Sequence, residues 1–196
     1  TFGIAGTVGK SNAHGFLNTT SESNTYGATA YILNKQSEVW TKFSVGFGVS
    51  DYSTTVSLPI FALTNTSAVK VKNYYADLTF YSGQEYYGFR PLVGVTGNRS
   101  SIDSAYESGS QLLSTLPAKG TTNEVRPYAG LRYDINETLG IEARAVKSKD
   151  FGTVGQVRAT AKTEVFKDTF IDVTAGFDKS SSYTAAVGMV GLRVKF

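Results

Sequence analysis

The sequence predicts an all-β fold, a single antiparallel up-and-down β-barrel of about ten strands (roughly 10–12). About ten stretches alternate apolar and polar side chains, the pattern of a strand that has one apolar face. In the last five stretches we assign the ionised residues to the face opposite the apolar one. The connections alternate between short and long, as expected when every second connection lies at the same end of a barrel.

The composition fits one domain over residues 1–196 and excludes several classes of protein. The 20 glycines, 12 tyrosines and 12 phenylalanines, with only 18% charged residues, are typical of a β protein rich in turns and aromatic residues. No apolar run approaches the roughly 18 residues of a membrane helix. The absence of cysteine excludes disulfides, thiolate metal sites and a cysteine nucleophile. A net charge of +3 is too small and too scattered to indicate a nucleic-acid partner.

The first half of the chain predicts five strands and three long loops. Lys70 and Lys72 share a face with apolar residues of their strand. We expect either a bulge near Asn73 that turns them to the other face, or a position of both lysines beyond the apolar part of the outer surface. Pro91 removes one ladder hydrogen bond and is the weak point of its strand. The strands are placed at 2–10, 25–33, 38–50, 68–81 and 85–97. The loops, rich in Ser, Thr, Asn, Gly or Pro, are placed at 11–24, 51–67 and 98–123, although residues 56–63 could form an edge strand.

The second half predicts five strands in quick succession, at 124–134, 139–147, 154–166, 169–177 and 183–196. Their charged face is predicted to line the interior of the barrel. This set either forms a structural network that fills the barrel or lines a narrow channel biased toward anions. Its members are Arg126, Arg132, Glu142, Arg144, Arg158, Lys162, Glu164, Asp172, Arg193 and Lys195.

The end of the chain, YTAAVGMVGLRVKF, resembles the closing strand of bacterial outer-membrane β-barrels. In that family a terminal aromatic residue, alternate apolar residues before it and a nearby glycine form the assembly signal. The resemblance implies an integral outer-membrane barrel with both termini periplasmic and its long loops extracellular. It also implies contact with the lipid bilayer, with lipopolysaccharide and, through the last strand, with the outer-membrane assembly machinery. The matching residues are Gly191, Leu192, Val194 and Phe196.

Two sub-families and a third function remain open. RPYAGLRYD (126–134) and GLRVKF (191–196) resemble the translocator domain of autotransporters, whereas the inward arginines are similar to those of small porins for acidic oligosaccharides. A surface adhesin or structural barrel would act through its loops. We expect no enzyme, cofactor or metal: no ligand-spaced motif occurs, and the single His14 in a polar loop is more often solvated than catalytic. The leading hypothesis is a narrow passive channel for small anionic solutes.

Overall fold

The computed structural model describes residues 1–14, 19–36, 38–58, 61–109, 120–181 and 183–195. Ten antiparallel strands follow one another around a closed barrel, and the first pairs with the last, which confirms the predicted up-and-down β-barrel. The described part contains no helix long and apolar enough to cross a membrane. The strands are β1 (Phe2–His14), β2 (Thr19–Lys35), β3 (Val39–Leu58), β4 (Leu63–Ser82), β5 (Phe89–Gly109), β6 (Thr121–Asp134), β7 (Leu139–Ser148), β8 (Gly152–Phe166), β9 (Thr169–Lys179) and β10 (Tyr183–Val194).

The outer surface carries an apolar belt, defined here as the outward side chains that alternate along the part of each strand nearest the chain termini. The register places Phe2 of β1 opposite Ile32 of β2, and Ile32 opposite Phe43 of β3. Ile32 is 54% exposed and Phe43 46% exposed. Apolar side chains outside and polar side chains inside suit a hydrocarbon solvent, in which a closed barrel also leaves no backbone edge unpaired.

The three predicted long loops are largely strand, so those loop assignments were wrong. These segments carry polar residues on both faces, so their sequences show no apolar alternation and were assigned to loops. Strands pair through backbone hydrogen bonds, which do not require an apolar face. Cross-strand hydroxyls support these polar segments, as at Ser21–Thr54 (3.0 Å) and Thr55–Thr66 (3.3 Å). The predicted loops at 11–24, 51–67 and 98–123 lose most of their length to β1 through β6, and residues 56–58 and 63 belong to β3 and β4.

The β4–β5 register shifts between Lys70 and Val71, close to Asn73 as predicted, but the extra residue of this bulge is on β5 and not on β4. Asp103 is skipped in the register, since Val71 pairs with Ile102 and Lys70 pairs with Ser104. β4 therefore keeps its alternation, and Lys70 and Lys72 point outward beyond the apolar belt. Their ammonium groups lie 3.6 Å from Asp51 and 2.8 Å from Asp103, respectively. The second of the two predicted explanations was correct.

Two smaller expectations about the strands are settled by the register. Pro91 pairs only with Leu131 of β6, because the β4–β5 ladder begins at Leu92. The missing N–H at the start of β5 therefore leaves the β4–β5 ladder intact. Lys147, the residue before the last of β7, is an exception to the predicted sorting of charges, since it lies on the outward, exposed face.

Packed side chains fill the wall formed by β4 to β8, where Tyr81, Leu92, Tyr128, Val146 and Val154 form a buried cluster with Trp40 against it. Three inward tyrosines pack against glycines directly opposite them on the neighbouring strand. A Cβ added at each of these glycines would come within 2.3–2.5 Å of the tyrosine ring, so no other residue fits without displacing it. The pairs are Tyr31 on Gly3, Tyr75 on Gly46 and Tyr128 on Gly94.

Candidate functional site: the lumen

The interior of the barrel contains a cavity of about 1130 Å³, called the lumen here, to which all ten strands contribute residues. At the end that holds the chain termini, the terminal end, its lining includes Asn136 and Thr138 of a turn. The opposite end of the barrel, where β1 connects to β2 and β7 to β8, is called the hairpin end here. There the lining includes Ser11 and Phe151. Ligand pockets usually measure roughly 300–1,000 Å³, so this lumen exceeds a typical small-molecule pocket and extends along the barrel.

The two walls of the lumen differ in the size of their side chains. β10, β1 and β2 present mainly small residues, among them Ala5, Gly9, Gly27 and Ala185. β4 to β8 present the buried cluster and long charged side chains. The short side chains leave open space beside this small-residue wall, and Tyr31 of β2 is a long side chain that reaches across it to Asp172 of β9.

Every inward arginine of β5 to β10 has a carboxylate partner. Arg193 lies 2.8 Å from Asp172, and Arg132 lies 2.7 Å from Asp134. Paired guanidinium and carboxylate groups satisfy one another's hydrogen bonds and cancel in net charge. The remaining pairs are Arg90–Glu85, Arg126–Glu124, Arg144–Glu142 and Arg158–Asp178.

Four lysines border the lumen, and one of them, Lys10, belongs by alternation to the outward face of β1. The other three face the lumen without a carboxylate within ion-pair distance among the described residues: Lys35, Lys42 and Lys162. Lys35 lies 4.1 Å from the centre of the Trp40 ring, and Lys42 lies 5.2 Å from that of Tyr31. A ring face attracts a cation but carries no net charge. The lumen cations without an ion-pair partner are therefore these lysines and not the arginines, and the lining carboxylate Asp77, which also has no ion-pair partner among the described residues, offsets part of their charge.

Asp77 is the buried carboxylate that hydroxyl groups satisfy in place of a cation. It accepts hydrogen bonds from Tyr128 (2.8 Å), Thr79 (2.9 Å) and Thr96 (2.6 Å). Arg144 lies 4.5 Å from the centre of the Tyr128 ring, and so joins this network to its own ion pair with Glu142. These contacts across β4 to β7 hold the packed wall in one arrangement.

Uncharged hydroxyl and amide groups line the hairpin end of the lumen. Thr25 and Ser50 lie 2.8 Å apart, and Asn73 donates to Ser50 at 2.9 Å. Ser100 donates to Asn73 at 2.7 Å. Positive charge thus concentrates toward the middle and the terminal end, while a neutral, hydrogen-bonded belt follows toward the hairpin end.

Most of the predicted inward residues line the lumen: Arg126, Arg132, Glu142, Arg144, Arg158, Lys162, Asp172 and Arg193. Two do not. Glu164 lies beside an irregularity of β8 and accepts a hydrogen bond from the Asp168 N–H (3.0 Å) in the turn. Lys195 follows the end of β10 and is exposed. Both depart from the prediction because the regular alternation stops before reaching them.

The sequence reasoning missed several lumen residues in the first half of the chain, above all Lys35, Lys42, Asp77 and Arg90. Charge sorting had been applied only to the last five strands. Alternation in the stretches 38–50 and 85–97 does place Lys42 and Arg90 opposite the apolar face, but neither was included in the predicted set of lumen residues. Lys35 follows the predicted strand at 25–33, although β2 extends through it.

The predicted assembly-signal residues lie at the seam between β1 and β10. Gly191 pairs with Ala5, Leu192 with Ile4 and Val194 with Phe2. A Cβ at Gly191 would come within 2.8 Å of the Ala5 Cβ, so the close approach of the two strands depends on glycine. Phe196 and the side chain of His14 lie outside the described residues. Among the described residues no group of three or more His, Asp or Glu side chains could hold a metal ion.

No family model and no curated protein matches the sequence. Among solved structures, the translocator domain of the autotransporter NalP from Neisseria meningitidis matches all of this chain and 88% of its own, with a TM-score of 0.62 and 14% identity. The transport unit of the Escherichia coli autotransporter AIDA-I matches over 100% and 90%, with a TM-score of 0.60 and 11% identity. The β domain of the Bordetella autotransporter BrkA matches over 100% and 99%, with a TM-score of 0.57 and 9% identity. This chain therefore has the fold of the bacterial outer-membrane β-barrels, as its terminal strand indicated.

Proposed function

We propose that this chain is a non-enzymatic outer-membrane barrel that conducts small anionic solutes through its lumen. The observation that carries the proposal is the lumen of about 1130 Å³ into which Lys35, Lys42 and Lys162 point without carboxylate partners. In this proposal the apolar belt contacts the bilayer, the hairpin end is extracellular and both termini are periplasmic. The outer-membrane assembly machinery would engage β10.

Electrostatics favours anions in such a lumen. Low-dielectric walls focus the field of a charge into an aqueous channel, and rings of Lys or Arg select anions. The paired arginines contribute little net field because each has a carboxylate beside it. The three lysines therefore supply the selectivity, and their removal is predicted to lower it.

The test is single-channel conductance of the refolded chain in a planar bilayer, with reversal potentials measured across a KCl gradient. We expect a steady conductance that favours chloride over potassium. The variant Lys35→Gln/Lys42→Gln/Lys162→Gln should lose most of that preference while keeping its conductance. Lys70→Gln/Lys167→Gln/Lys195→Gln removes the same charge outside the lumen lining and should leave the preference unchanged.

Three results would contradict the proposal. A correctly folded barrel that passes no current would exclude conduction. A cation-selective wild type would exclude the anionic solute class. An equal loss of selectivity in the two triple variants would show that the lumen lysines have no special part in it.

A second candidate function is translocation of a polypeptide, because the solved structures similar to this chain are the translocator domain, transport unit and β domain of autotransporters. The small-residue wall supports this candidate, since Ala5, Gly9 and Gly27 leave room for an extended backbone beside them. The test is a protease-sensitive tag fused upstream of Thr1 and expressed in a Gram-negative host. A tag cleaved by protease added to intact cells supports translocation, and a tag cleaved only after the outer membrane is opened contradicts it.

A further inference from the structure

Trp40 lies between two cations at the terminal end of the lumen. The centre of its ring is 3.6 Å from the guanidinium carbon of Arg90 and 4.1 Å from the ammonium of Lys35. Lys35 belongs to β2 and Arg90 to β5, and these strands lie on opposite sides of β3, which carries Trp40. A guanidinium at this distance covers one face of the ring, so the ammonium takes the other face. The three side chains therefore form a stack.

Arg90 is the fixed member of this stack. It is 5% exposed, and its guanidinium donates to the carbonyl oxygens of Ser82 (2.7 Å) and Gly83 (2.9 Å). It also forms an ion pair with Glu85. The ring of Trp40 packs in addition against the buried cluster of the wall formed by β4 to β8. Arg90 and that cluster therefore hold the ring in one position.

Lys35 is the member that depends on the ring. It is the last residue of β2, it is exposed, and it has no ion-pair partner among the described residues, so its long side chain is free to turn out of the lumen. Three cations, Lys162, Arg132 and Arg193, repel its ammonium, and one carboxylate, Asp134, attracts it. This repulsion favours a side chain extended into the surrounding water, whereas attraction to the ring face keeps the ammonium in the lumen.

We infer that Trp40 is a positioning residue for the anion selectivity of the lumen: its ring holds the Lys35 ammonium at the terminal end, beside the path of the ions. The inference rests on the conduction proposed above. A charge selects ions only where it faces their path, because its field falls with distance and is screened by salt and water. Without the ring, Lys35 keeps its charge but loses its place. Removal of the uncharged Trp40 should therefore act on selectivity as removal of the Lys35 charge does.

The test is the preference for chloride over potassium, read from the reversal potential of the refolded full chain across a KCl gradient. Trp40→Leu should lower the preference as far as Lys35→Gln does, whereas Trp40→Phe keeps an aromatic face and should retain most of it. Trp40→Leu added to Lys35→Gln should cause no further loss, because no ammonium remains to be positioned. Tyr86→Leu removes an aromatic ring at the same end, outside the lumen lining, and should leave the preference unchanged.

A second measurement needs no current and so separates this inference from the proposed conduction. Trp40 is the single tryptophan, and its fluorescence is quenched on contact by iodide, an anion, and by caesium, a cation. Iodide should quench the refolded wild type more strongly than caesium does, because the ammonium beside the ring attracts it. Lys35→Gln should reduce this difference. Lys167→Gln removes the same charge at the terminal end, outside the lumen lining, and should not.

Three results overturn the inference: a preference that survives Trp40→Leu, an equal loss in Trp40→Leu and Trp40→Phe, or a further loss when Trp40→Leu is added to Lys35→Gln. A barrel that passes no current overturns conduction, and the quenching then decides whether the ring holds the ammonium: a difference unchanged by Lys35→Gln overturns that contact as well. Because Trp40 packs against the buried cluster, a shift in apparent mass between heated and unheated gel samples checks that each variant barrel is closed.

Discussion

Replacing Gly94 with alanine should destabilise the barrel strongly, because the added methyl group meets two obstacles. Its Cβ would lie 2.4 Å from the hydroxyl end of Tyr128 and 2.5 Å from the backbone oxygen of Leu78. The tyrosine must leave Gly94, and then it no longer donates to Asp77, which is 8% exposed. Overpacking costs typically about 1–3 kcal/mol, and a lost hydrogen bond to a charged group about 1.5–3 kcal/mol. We expect a total loss of about 3–5 kcal/mol.

Gly97 offers a matched control on the same strand. A Cβ there points outward and has nothing closer than the Ala76 backbone oxygen at 4.0 Å. Glycine within a strand costs roughly 0.5–1 kcal/mol relative to alanine, so Gly97→Ala should be neutral or slightly stabilising.

The assay is equilibrium urea unfolding of the refolded chain in lipid vesicles, followed by the fluorescence of Trp40, the single tryptophan. Gly94→Ala should lower the unfolding midpoint clearly and Gly97→Ala should not. If Gly94→Ala matched the wild type within about 0.5 kcal/mol, a typical effect of an innocuous surface change, the tyrosine–glycine packing would carry no energy and the reasoning would fail.

Two further perturbations follow from the same structure. Asp77→Ala leaves the hydroxyls of Tyr128, Thr79 and Thr96 without their shared acceptor, so we expect a loss of about 2–4 kcal/mol by urea unfolding. An unchanged midpoint would show that water replaces the carboxylate. Gly191→Val places two methyl groups against Ala5 at the β1–β10 seam, so the fraction of barrel that becomes closed during refolding, read on unheated gels, should fall at least severalfold. Normal closure would rule out a steric requirement at that seam.

The alternation of side chains made the fold predictable. Stretches such as 38–50 and 139–147 place bulky apolar groups on one face, and this pattern depends only on the geometry of a single strand. The same local rule placed Arg132, Arg144 and Arg193 inside the barrel. The alternation could not predict how far the strands extend beyond the apolar belt. Residues 51–58 and 63–67 pair through backbone groups, which every residue carries and which leave no pattern in the sequence.

The pairing state of the lumen charges needed the tertiary structure. Asp172 accepts a hydrogen bond from Tyr31, which is 141 residues away in sequence, and it also pairs with Arg193 across the β9–β10 ladder. Neither partner could be chosen without the register of the closed barrel. From the sequence alone, the lumen arginines could not be distinguished from the lysines as sources of free positive charge. In the structure, carboxylates neutralise the arginines, whereas Lys35, Lys42 and Lys162 have no ion-pair partner among the described residues.

The sequence alone determined that this chain forms an antiparallel barrel with an apolar outside, because the two faces of a strand follow from the order of its side chains. The tertiary structure decided where the barrel closes, which tyrosine packs on which glycine and which cations remain unpaired. The physical reason is that these features depend on the register between strands. Register arises from hydrogen bonds and side-chain contacts between segments that are distant in the chain.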